Sequence, residues 1–202
     1  MPIGPGGLDS NGIWQFGEDD SEALASDLLN LGMGSVSTAI STLGGVLQVV
    51  SVTKTDTFSA SVAAAAFSAN VTGFSATITP ASTSSKILVA VSVSGALSTD
   101  LPLMSGRMLR GSTPIGVGDT AGIRSSVSGS SGILNAQHRS MANLSVETLD
   151  SPSTTSATTY NFQLFNTQTA TATLYMNRTH DDDNAATHMR PASTITLMEV
   201  AG

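Results

Sequence analysis

The residues best suited to chemistry in this chain are few and scattered. Histidine occurs three times, at His138, His180 and His188, each in a stretch that reads as a loop or strand end. Serine nucleophiles usually sit on a tight strand-to-helix elbow, and no Gly-x-Ser-x-Gly run is present. Ser, His and Asp are all available, but serine is so frequent that its presence specifies nothing. Cysteine is absent, which removes disulfides, thiolate nucleophiles and Cys-type zinc sites together. Glycoside hydrolysis needs a pair of carboxylates across a cleft, and acids beyond the amino-terminal cluster are sparse. The expectation is a chain without catalytic residues and without a cofactor.

One stretch suggests an ion. Thr179-His180-Asp181-Asp182-Asp183-Asn184 offers three successive carboxylates and an amide oxygen, the ligand chemistry of a hard cation such as Ca²⁺. Alternate residues share a side of an extended loop, so Asp181 and Asp183 are the preferred ligands. Against this stands the plainer reading of a solvated acidic tip, since neighbouring loop residues rarely all face one point. The sequons at Asn70, Asn143 and Asn177 are chance matches in a Ser/Thr-rich text. Tyr160, Phe162, Phe165 and Tyr175 could serve a sugar platform. With aromatics at only 4%, most of them are needed in a core.

Elements must position these groups, and composition bounds what they are. Hydrophobic residues make up 40% of the chain, enough for a packed core, whereas charged residues reach only 11%. Ser, Thr, Asn and Gln therefore supply the polar surface. A net charge of −7 with singly scattered Lys and Arg argues against a nucleic-acid binder. Met1-Pro2-Ile3-Gly4-Pro5-Gly6-Gly7 has neither the basic start nor the apolar run of a signal peptide. No segment is long enough to insert into a membrane.

The text divides near Gly44-Gly45, into residues 1–45 and 46–202. Met1 to Gly12 reads as an extended arm, followed by the apolar cluster Ile13, Trp14 and Phe16. Glu18-Asp19-Asp20-Ser21 then gives acids and a cap ahead of Leu24, Leu28, Leu29 and Leu31, a helix-start signal. After Gly32 and Gly34, the positions Val36, Ile40, Leu43 and Leu47 resume at a/d-like spacing. A helix this short is marginal alone. It packs either on its own β-domain or around copies of itself, with Leu24, Leu28, Leu31, Val36, Ile40 and Leu43 as the contact face.

From Val46 the period changes to two. Val46–Phe58, Val71–Ile78, Lys86–Val93, Ile133–Leu149 and Thr194–Val200 read as strands, with Gly/Pro/Ser punctuation. Tyr160–Phe165 and Ala172–Met176 bracket Asn166-Thr167-Gln168 as an expected hairpin. Ser125–Gly132 and His180–Asn184 read as loop tips. The fold expected is mainly β: an antiparallel β-sandwich, jelly-roll-like or immunoglobulin-like, preceded by a short arm and a helical segment.

Several stretches also carry a resemblance. They are Val46-Leu47-Gln48-Val49-Val50 with Thr53 to Phe58, Val71 to Pro80, Ser84 to Val89, Leu109 to Gly116, Leu149 to Pro152 with Ala157 to Tyr160, and Ser193 to Val200. In this order they resemble a β-rich domain of tailed-bacteriophage fibre and appendage proteins, over most of Val46 to Gly202. The resemblance implies a virion location after synthesis in the host cytoplasm, a homotrimer and no catalytic residues. On that reading Ile13, Trp14 and Phe16 anchor the chain to other virion proteins. The helical face then aligns the copies, and the β-domain meets a host-surface glycan or protein. A head decoration or other purely structural virion role is the alternative.

Overall fold

The computed structural model describes Gly7–Leu8, Trp14–Gln15 and residues 45–98, 103–132 and 139–202. The chain divides into two units, Met1–Gly45 and Val46–Gly202. In the first, β1 (Gly7–Leu8) pairs antiparallel with β2 (Trp14–Gln15), so the stretch read as an extended arm contributes a short strand. Ile13, Phe16, Leu24, Leu28, Leu31, Val36, Ile40 and Leu43 lie outside the described residues. Leu47, read as the last helical position, lies instead in a strand.

The second unit runs through β3 (Val46–Lys54), β4 (Phe58–Val62), β5 (Ser75–Ile78), β6 (Lys86–Leu97) and β7 (Leu103–Arg110). It continues through β8 (Thr113–Ile115), β9 (Gly129–Gly132), β10 (Ala142–Asp150), β11 (Thr158–Phe165), β12 (Ala172–Met176) and β13 (Ser193–Val200). Among the described residues there is no helix, and so none long and apolar enough to cross a membrane. Strict alternation selects these strands. In β6, Ile87, Val89, Val91 and Val93 are buried on one side, while Leu88, Ala90, Ser92 and Ser94 point the other way.

β6 lies at the centre of the first antiparallel sheet. β10 runs along one of its edges, and β13 and β12 share the other end to end. β3 then pairs with β13, and β4 with β12. This sheet is four strands wide, with two of its strands interrupted, at residues 55–57 and 177–192. In the second sheet β7 has β11 on one edge and β8 and β9 end to end on the other. β5 closes the far side of β11. The amides of Ser68 and Val71 extend that edge by donating to the carbonyls of Leu164 and Phe162.

Apolar side chains of the two sheets meet in one core, including Val89, Val91, Ile195 and Leu197 from the first and Met108, Tyr160, Phe162 and Leu164 from the second. Phe74 meets Phe162 edge to face at 6.3 Å. Burying each large side chain contributes roughly 1.5–3 kcal/mol, and this shared core makes the pair of sheets a β-sandwich. A polar staple joins the sheets at one margin. Arg110 Nη1 donates to Asp150 at 2.9 Å, and the Tyr160 hydroxyl donates to the same carboxylate at 2.7 Å. Burial first, then Asp150, pushes the Tyr160 pKa far up, so this phenol holds its proton and serves structure.

Tyr160–Phe165 and Ala172–Met176 are both strands, but they do not form the expected hairpin. β11 pairs with β5 and β7, whereas β12 belongs to the other sheet. The physical reason is Asn166, fully buried, whose amide donates to the carbonyls of Val62, Ala63 and Ala170 and carries the chain across. The tip expected over Ser125–Gly132 is partly strand, because Gly129–Gly132 pairs with β7.

Candidate functional site

The outward side of the first sheet gathers the small hydroxyl residues that alternation turns away from the core. Register places Ser145 beside Ser92 and Ser92 beside Thr194. One step along, Glu147 neighbours Ala90, Ala90 neighbours Thr196, and Thr196 neighbours Ser51. Because these central side chains are short, the surface sinks into a groove of about 480 Å³, lined by Ala90, Ser92, Ser145, Glu147, Thr194 and Thr196 with Val91 and Val146.

The hydroxyls are partly ordered already. Ser51 Oγ and Thr196 Oγ1 lie 2.9 Å apart, Asn143 Nδ2 donates to Ser94 Oγ at 2.9 Å, and Ser145 Oγ donates to Asn143 Oδ1 at 3.2 Å. Glu147 is the one carboxylate in the lining. Hydroxyls donate and accept, and a carboxylate accepts twice, so the groove suits a ligand rich in hydroxyl groups. A further step along the sheet, Leu149, Leu88, Met198 and Val49 form an apolar row beside it. Leu149 and Val49 are both more than half exposed. Polar groove and apolar border together match the two kinds of surface on a sugar ring. No imidazole stands in this lining.

The acidic loop is organised differently from the cation reading. Asp182, between the two preferred ligands, is held by Arg190 at 2.6 Å and Arg178 at 3.5 Å. Arg178 stacks over the Tyr175 ring at 4.4 Å and donates to the carbonyls of Thr179 and His180. The Thr179 hydroxyl donates to the Asp181 carbonyl, and the Asp181 carboxylate lies 3.6 Å from His180 Nδ1. Asp183 is exposed. Among the described residues, no group of three or more His, Asp and Glu side chains comes close enough to hold a metal ion. Two guanidinium groups already neutralise the middle carboxylate, which weakens the pull of this loop on a cation.

Of the three residues expected to anchor the chain, Trp14 lies in β2, paired with Leu8. The groove was not visible as a motif, because its residues come from β6, β10 and β13, far apart in the chain. The available signal was the run of Ser and Thr at alternate positions in those strands. Neither a protein-family model nor a curated protein matches the chain.

Proposed function

We propose that the chain is a non-enzymatic structural protein of a tailed-bacteriophage virion, a short homotrimeric fibre or appendage. Residues 1–45 fasten it to other virion proteins, and the sandwich of residues 46–202 is displayed for attachment to the host surface. The resemblance of the β-domain sequence supports the virion setting. The hydroxyl-lined groove with Glu147 is the observation that carries attachment, through a surface glycan. The strand order supports reading the sandwich as a jelly roll. With each interrupted pair counted as one strand, the chain changes sheet at every connection except the β7–β8 hairpin. Three copies on one axis let weak sugar contacts add up through avidity.

Binding of the full-length chain to host-surface polysaccharide, measured by calorimetry, tests this. Glu147→Gln keeps the shape but halves the accepting capacity and removes the charge. It is expected to weaken binding roughly tenfold, with the melting temperature unchanged because Glu147 is exposed. Wild-type affinity in the variant would remove the groove from the account.

A second reading, a head decoration or other structural part without receptor binding, is favoured by one observation. Val46, Leu47 and Val49 expose about half of their surface on the edge strand β3, and apolar rows of this kind are commonly covered by a protein neighbour.

A further inference from the structure

We infer that the outward side of the second sheet carries an acid-binding subsite centred on Arg107, suited to the carboxylate of an acidic sugar. The inference is carried by a different face from the groove and does not rest on it.

Arg107 sits on β7 beside Gln163 of β11. Its guanidinium carbon lies over the Phe67 ring, 3.7 Å from the centroid, and Phe67 leans on Phe165 at 4.8 Å. Arg107 Nε donates to Gln163 Oε1 at 2.9 Å, while Gln163 Nε2 donates to Asn70 Oδ1 at 3.0 Å. Arg110 is paired with Asp150, and Arg178 and Arg190 with Asp182. Among the described residues Arg107 has no carboxylate partner, and its two terminal nitrogens donate to no protein acceptor. Burial withdraws water from it and lowers its pKa.

A guanidinium that only covered the aromatic pair would need no such support. The Asn70–Gln163 relay fixes its plane and leaves the far edge of the fork open, the arrangement that receives a carboxylate through two parallel hydrogen bonds. The surroundings favour a sugar acid over a bare anion. The exposed Ser130 hydroxyl, held 2.5 Å from that of the buried Ser105, lies on one side, and the Asn161 amide lies on the other. These groups match the hydroxyls that flank the carboxylate of a uronate.

The test is calorimetric titration of the full-length chain with an oligogalacturonate, with its methyl ester, and with inorganic phosphate. The acid form is expected to bind, and the ester and phosphate to bind at least about tenfold more weakly. Arg107→Gln abolishes the preference for the acid. Arg107→Lys, which keeps the charge and guards against a folding defect, retains only part of it because the planar fork is lost. The preference for acid over ester is read separately from affinity for the host-surface polysaccharide, so failure here and failure of the groove are separable. No binding of the acid form, equal binding of acid and ester, phosphate matching the oligosaccharide, or an undiminished preference in Arg107→Gln would overturn the inference.

Discussion

Replacing Asn177 with alanine is expected to destabilise the β-domain by about 4 kcal/mol, read as a lower midpoint in urea unfolding with an unchanged slope. Asn177 is fully buried at the point where β12 gives way to the loop before β13. Its Nδ2 donates to the carbonyls of Lys54 at 2.8 Å and Asp56 at 3.0 Å, closing the gap between β3 and β4. Its Oδ1 accepts the Ser193 hydroxyl at 2.6 Å, and Ser193 Oγ in turn accepts the Ser94 amide. Both interruptions of the first sheet are therefore tied through one side chain. Alanine leaves the buried Lys54 carbonyl and Ser193 hydroxyl, and the part-buried Asp56 carbonyl, without this partner, at roughly 1–3 kcal/mol for each buried group before relaxation. Asn177 also holds a φ of 60°, which asparagine tolerates better than alanine. Asn177→Gly should recover about 1 kcal/mol of the loss, which separates the backbone contribution from the hydrogen bonds.

Glu199→Ala should cost about 3 kcal/mol, and the wild-type chain should lose stability in acid through the same residue. Glu199 is a fully buried carboxylate on β13. Gln48 Nε2 donates to it at 2.6 Å and the Ala81 amide at 2.7 Å, so it links β3 to the turn before β6. Burial pushes its pKa up, but Gln48, the nearby Ser85 hydroxyl and the Ala81 amide outweigh burial and hold the carboxyl below its ordinary value. A depressed folded-state pKa means that the unfolded chain binds the proton first. The contribution is complete above the unfolded value, about 4.3, and is lost as pH falls through the folded value. Urea midpoints measured from neutrality into acid should fall below about pH 4.5, more steeply in wild type than in Glu199→Gln. Parallel curves would assign the acid loss to other carboxylates.

What the sequence made legible follows from how each element is selected. β6 and β13 were readable because apolar and polar residues alternate without interruption, which fixes both strand and buried face. β9 was not, because Gly129-Ser130-Ser131-Gly132 has no strand propensity. It is a strand because it pairs with β7, and glycine is required at 129 because a Cβ there would come within 2.3 Å of Val146 Cγ1. The hairpin expected between β11 and β12 failed for a related reason. A short polar link fixes neither the partner nor the sheet, and only the buried hydrogen bonds of Asn166 decide that the chain crosses. The cation reading weighed three carboxylates and omitted Arg178 and Arg190, which the loop closure brings onto Asp182. Neither the groove nor the Arg107 platform is a local pattern, since both depend on register between strands far apart in the chain.

The central claim, that this chain is a displayed part of a virion, is tested most directly by imaging particles labelled with an antibody against residues 46–202. The account predicts label at discrete sites on the tail or its appendages, with three copies at each. Purified particles that carry no label, while the infected cell contains the chain in abundance, would contradict it.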